Sequence, residues 1–462
     1  MPAAAKSLPT PRQWISLAAT IAVTLFLLLT PGAPLLVRAG AVIGLCIGLW
    51  ATGWLPQWLT ALVFFTLCTV AGVAPADIVF AGFGSAATWL VFSGLIIGAA
   101  IQYTGLGTSL AQGVGPWLEG SYRRALIGVI LLGLAMAFFM PSGMGRILLM
   151  VPILTTLADH LGYEPGERGR TGLILGGMMG TFLPTYAILP ANVPNNVLMG
   201  AAEAVLGTPP NYSDYLLLHF PVLGLLKTLL LIAVMLWLYP AHPPRQTTTT
   251  LDAPSRLSRP ELGLAGLLSV AVLLWMSDAW HGISPAWIGM LVALVCLFPG
   301  SRLMGQNPLQ SISFDSFLYV AGIVSLGALA FHSGLGERVA GSLLSVLPLH
   351  EAADAAAFGM LSGLAMLLGT LVTLPGIPAI LTPMAPGLAN ITGWTPEAVY
   401  MTQVVGFSTV LLPYQAPPLI VGILAARISL RETARLCLVT ALLSVLLLWP
   451  LNYLWWEWLG WL

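Results

Sequence analysis

Apolar positions along this chain run on without interruption for about 18–22 residues at a time, long enough to cross about 30 Å of hydrocarbon as helix. Such runs fall near residues 13–30, 36–53, 57–75, 86–103, 170–200, 215–239, 261–279, 283–300, 312–331, 398–428 and 431–460. None alternates with period two, which excludes a membrane β-barrel. The first run follows Lys6 and Arg12 in the manner of a signal peptide. It is longer than an h-region and leads into another run, so it is read as the first transmembrane helix. The pattern predicts an all-α polytopic membrane protein of about eleven transmembrane helices.

Composition agrees. Charged residues make up 7% of the 462 positions and hydrophobic ones 58%, with mean hydropathy +0.91. A water-facing domain carries about 25% charged residues, so the surface here belongs to lipid. Zero formal net charge and the lack of basic clusters argue against nucleic acid as a partner. The four cysteines, Cys46, Cys68, Cys296 and Cys437, lie inside apolar runs with no CxxC spacing, and read as packed thiols. No HExxH, GxSxG or pair of intramembrane acids supports an enzyme.

Basic residues set the orientation. With the N-terminus in the cytoplasm, Lys6, Arg12, Arg123, Arg124, Arg168, Arg170, Arg245, Arg256, Arg259, Arg302, Arg427, Arg431 and Arg435 all face inward. Arg38, Arg338 and the mid-span Lys227 do not follow the rule. The outer loops take Asp77, Glu203, Asp214 and Asp278, and the Trp-rich C-terminus anchors at the outer surface.

Two segments do not fit simple crossing. The arms 125–140 and 147–158 reach only about 24 and 18 Å as helices, and both outer flanks, "YRR" and "GERGR", are basic. Segment 125–158 is therefore expected to be a re-entrant hairpin opening inward, with its tip at "PSGMG". Segment 355–392, with tip "TLPGIP" and acidic flanks, is expected to open outward. The halves echo each other: "YTGLGTSLA" at 103–111 with "HSGLGERVA" at 332–340, and "LPANVPNN" at 189–196 with "LPYQAPPL" at 412–419. This divides the chain into N-terminal helices 1–56, a first repeat 57–239, a cytoplasmic linker 240–261 and a second repeat 262–462 of inverted topology. Inverted repeats with broken helices mark secondary transporters, with the substrate at the midplane.

Irregular backbone at that depth must be buried or line a wet cavity. Half-helix N-termini favour an anion and freed carbonyls a small cation. Arg146, one turn past Ser142, stands between two apolar runs with no acid in the body of any span. A central arginine costs roughly 2.5–3.5 kcal/mol on insertion scales. It either meets an anionic substrate, stands where other carriers hold a metal ion, or binds backbone carbonyls. Asn192, Asn195, Asn196 and Gln415 are amides at the breaks, able to donate and accept. Tyr186, Tyr414, Thr181, Ser408, Thr409 and His332 are weaker candidates.

Two hairpins each preceded by "GLG", "MVPI" and "LTPM" after the tips, and P-x-x-x-P spans resemble the divalent anion:sodium symporters, carriers of sulfate and of di- and tricarboxylates. The likeness covers the chain from about residue 57. It implies a homodimeric secondary transporter of small anions in a bacterial-type inner membrane, working by alternating access, with its C-terminus outside. In that family each tip carries Ser-Asn-Thr. Here the tips read Ser142-Gly143-Met144 and Thr373-Leu374-Pro375, keeping the hydroxyl and losing the amide. The substrate set implied is Ser142, Gly143, Arg146, Thr373, Asn195, Asn196, Gln415 and Pro417. The coupling-ion set is Ser142, Asn192, Thr373 and Gln415, with sodium as the candidate ion and no other cofactor or metal. With both amides gone, Arg146 is a candidate for fixed positive charge where relatives recruit sodium, and exchange or proton-linked movement becomes an option. An anion channel, or another carrier of the same superfamily, is the alternative on this scaffold.

Overall fold

The computed structural model describes residues 20–28, 30, 32–110, 121–244, 257–344, 348–349 and 352–462. Residues 13–19 and 29 of the expected first span and residues 245–256 of the linker lie outside them. Every regular element among the described residues is helical. The long ones are α1 (Leu35–Thr52), α2 (Gln57–Val70), α3 (Ala86–Thr104), α4 (Tyr122–Phe139), α5 (Gly143–His160), α6 (Arg168–Gly180) and α7 (Val193–Leu206). After them come α8 (Tyr212–Leu238), α9 (Arg259–Met276), α10 (Pro285–Leu297), α11 (Asp315–His332) and α12 (Asp354–Leu371). The last are α13 (Pro396–Phe407), α14 (Pro417–Ala426) and α15 (Leu430–Trp458). Among the described residues, eight helices are long and apolar enough to cross a membrane.

Local chemistry sets the boundaries. Ser121, Ser142 and Thr395 cap α4, α5 and α13 by accepting from Arg124, Gly145 and Ala398 backbone N–H groups. Ser258 and Glu261 form a capping box at α9. Glu203, expected in an outer loop, sits in α7. Its carboxylate accepts from Ser85 Oγ at 2.7 Å and Ala86 N at 2.9 Å, closing the N-terminus of α3. Two long apolar runs break where prolines remove donors. Residues 181–192, with Pro184 and Pro190, separate α6 from α7, and residues 408–416, with Pro413, separate α13 from α14.

The arms around the first tip are longer than the sequence suggested. Both α4 and α5 have 18 residues, or about 27 Å each, because helix resumes at Gly143, directly after the Ser142 cap. The counterpart arm after α12 is instead chopped into Gly376–Leu381, a tight turn at Thr382–Met384 and Ala385–Thr392 by Pro378, Pro383 and Pro386.

Two glycines let backbones touch beside the breaks. A Cβ on Gly180, the last residue of α6, would lie 2.5 Å from Ile130 O of α4. One on Gly406 of α13 would lie 2.4 Å from Ser362 O of α12. In each half the arm before the tip thus lies directly on the half-helix that ends at the break.

Candidate substrate site

A cavity of about 160 Å³ lies where the irregular segments meet. Its wall includes Ser142 and Gly143 at the start of α5, Asn192 and Asn196 at the start of α7, and Gln415 and Pro417 at the start of α14. Three helix N-termini therefore converge on one small space with the positive ends of their dipoles, while Pro417 and Pro418 leave α14 without N–H donors at its first two positions. Phe182, Tyr186, Tyr319, Leu374 and Pro375 complete much of the lining. Tyr186 Oη and Asn196 Oδ1, buried on this wall, have no hydrogen-bond partner among the described residues. Buried polar groups are rarely left so, and a polar ligand in the cavity would meet both. A larger cavity of about 690 Å³, lined by Arg168, Arg170, Arg427 and Arg435, shares no residue with this wall and contains none of the broken segments.

Arg146 lies behind the wall. It is fully buried, and all its donors end on protein oxygens. Nη1 donates to Met140 O at 2.6 Å and to Ala191 O at 2.9 Å. Nε and Nη2 donate to Thr181 O at 3.2 and 3.0 Å. Nη2 also reaches Asn192 Oδ1 at 3.0 Å and Thr185 Oγ1 at 3.3 Å. One guanidinium thus ties the tip (Met140) to both ends of the first break (Thr181 and Ala191). Thr181 caps the C-terminus of α6, where a helix dipole favours a cation. Such an oxygen cage is also what a small bound cation would require.

The remaining candidates divide. Asn192 joins the cage, its Nδ2 donating to Thr185 Oγ1 at 2.9 Å. Asn195 is off the wall and stitches the break, its Nδ2 donating to Tyr186 O and Ile188 O. Gln415 Oε1 accepts from Leu411 and Leu412 backbone N–H groups at 2.7 Å. Its own carbonyl accepts from Leu374 N at 3.2 Å, tying the second tip to the second break. Thr373 lies elsewhere, lining a separate void of about 10 Å³ beside Trp50 and Ile323. Tyr319 and Ser316 of α11 were missed from the sequence, because an all-round apolar span does not reveal which face meets a partner.

The family model for the sodium:sulfate symporter transmembrane region matches residues 11–462. The chain belongs to this family, the divalent anion:sodium symporters. Among the similar proteins, a membrane protein of Cupriavidus necator is 25% identical over 403 residues, covering 82% of this chain and 76% of its own. The L-tartrate/succinate antiporter of Escherichia coli is 25% identical over 374 residues, covering 69% and 74%. Of solved structures, the Alcanivorax borkumensis YdaH transporter aligns with TM-score 0.58 at 17% identity, over 84% of this chain and 88% of that one. Neisseria gonorrhoeae MtrF aligns with TM-score 0.53 at 14% identity, over 94% and 97%. These likenesses support the fold. The symporter-family chain is an integral membrane transporter, not an enzyme, as the sequence predicted.

Proposed function

We propose that this protein is a sodium-independent exchanger of small dianions, of the dicarboxylate class, working by alternating access in a bacterial inner membrane. Two inverted repeats, with segments 125–158 and 355–392 as re-entrant hairpins, would present the cavity to each side in turn. The carrying observation is the Arg146 cage. Oxygens that could ligate a coupling cation are already taken by a side-chain cation, so no sodium is needed to hold tip and break together. The cavity has room for about five waters, the size class of a four-carbon diacid or a tetrahedral oxyanion. Three helix N-termini supply the attraction, with Ser142, Asn196 and Gln415 as the polar contacts. The relative named an L-tartrate/succinate antiporter supports exchange and a diacid substrate.

Purified protein in liposomes loaded with succinate, tartrate or sulfate tests the reading. Uptake of labelled external succinate should require an internal dianion and proceed equally in choline and sodium. Uptake into empty liposomes, or only down a sodium gradient, overturns exchange. Currents that ignore the internal anion would mean a channel.

A further inference from the structure

The second break has a cation of its own. Lys227 stands mid-way along α8, inside the bundle and 3% exposed. Its Nζ donates to Ser408 O at 2.5 Å and Ser408 Oγ at 3.2 Å. Ser408 is the C-terminal cap of α13, as Thr181 is of α6. Among the described residues neither Arg146 nor Lys227 has an ion-pair partner. The half-helix before each break therefore ends on a side-chain cation.

The backbone of α8 is shaped to deliver it. Residues Phe220–Leu226 form a π-helical turn that ends directly before Lys227. Pro221 lacks the N–H that would bond Leu217 O, and that carbonyl accepts Trp455 Nε1 at 3.1 Å instead. One inserted residue rotates the rest of the helix by about 100°. Lys227 and Thr228 thus face inward, while Leu225 and Leu229 are exposed. A second π turn, Ser444–Leu448 in α15, ends directly before Trp449. Trp449 Nε1 donates to Thr409 Oγ1 at 3.1 Å. Two widened turns on two different spans thus aim one donor each at the same helix end, residues 408–409.

We infer that Lys227 is a positioning residue for transport: the second repeat's fixed cation, holding the broken end of α13 where a mobile cation would otherwise be required. This rests on the exchange reading above and extends it to one built-in cation per repeat. Trp449 supplies a neutral bond at the same place and serves as the control.

The test is anion exchange by full-length Lys227→Met, Lys227→Ala and Trp449→Phe in proteoliposomes, each in choline and in sodium. Both Lys227 variants should lose about tenfold or more in choline, since a charge-assisted bond is removed, with the thermal midpoint in detergent retained. Lys227→Ala frees the Ser408 oxygens and opens space beside them, so sodium should restore its rate several-fold. Trp449→Phe should show no cation dependence. Wild-type rates for the Lys227 variants in choline, or a loss in Lys227→Ala that no alkali cation repairs, would overturn the assignment. A sodium requirement in the unmutated protein would instead sink the exchange reading, so the two failures are distinguishable.

Discussion

Replacing Arg146 by Gln separates the two jobs an intramembrane arginine could have. The change strips donors from five oxygens, but unequally: Thr185 Oγ1 keeps Asn192 Nδ2 at 2.9 Å. Met140 O keeps Ser142 N at 2.8 Å and Thr181 O keeps Thr185 Oγ1 at 3.1 Å. Ala191 O and Asn192 Oδ1 lose their only donor among the bonds to described residues. Two orphaned acceptors at about 1–3 kcal/mol each amount to roughly 2–6 kcal/mol. Against that, the buried guanidinium and its insertion cost of about 2.5–3.5 kcal/mol disappear. The two nearly cancel, so the variant should fold and run with the parent's thermal midpoint within a few degrees. Transport should not survive. The two Nη1 bonds that couple Met140 to Ala191 are charge-assisted, at about 1.5–3 kcal/mol each, so exchange should fall about a hundredfold or more. Arg146→Lys keeps the charge but not the fork, and one ammonium cannot reach oxygens on three segments at once. It should recover only part of the rate. The assay is succinate counterflow in proteoliposomes beside a thermal-shift measurement on the same preparation. Arg146→Gln exchanging at the parental rate would refute the reasoning.

Further outcomes rest on particular contacts. Asn196→Asp places a carboxylate on the cavity wall and should raise the KM for a dianion about tenfold or more, since like charges close together in low dielectric repel strongly, whereas Thr373→Val, off that wall, should leave KM unchanged in the same uptake assay. Gly406→Ala puts a Cβ at 2.4 Å from Ser362 O, and the overpacking should lower stability by about 1–3 kcal/mol, read as a lower thermal midpoint. Glu203→Gln weakens the cap on α3 and should cost about 1 kcal/mol with transport rates near normal.

Much of this was legible in the residues. Proline spacing located both breaks, because a missing N–H at membrane depth must interrupt the ladder whatever surrounds it. The tip hydroxyl Ser142 and the amides Asn192, Asn196 and Gln415 came together because helix resumes right beside each of them. What the sequence could not give was the direction of freed carbonyls. Arg146 was visible as an anomaly, but not that Met140, Thr181 and Ala191 would surround it. Thr373 misled for a related reason. The first tip ends on an N-cap that points its hydroxyl back at its own helix, whereas Thr373 opens a turn, its carbonyl accepting from Gly376 N at 2.8 Å. Lys227 looked like a stray exception to the orientation rule. The available signal was Pro221, six residues upstream, since a proline inside an apolar span forecasts a widened turn and a shift of face. The arm lengths around the first tip were underestimated because glycines at 143 and 145 look like a loop, yet the Ser142 cap starts the helix there.

The most direct measurement is succinate/succinate exchange by the unmutated protein in proteoliposomes, with sodium replaced throughout by choline. The built-in cations predict the same rate in both media. A rate that collapses without sodium would mean that a mobile ion still does what Arg146 is held to do.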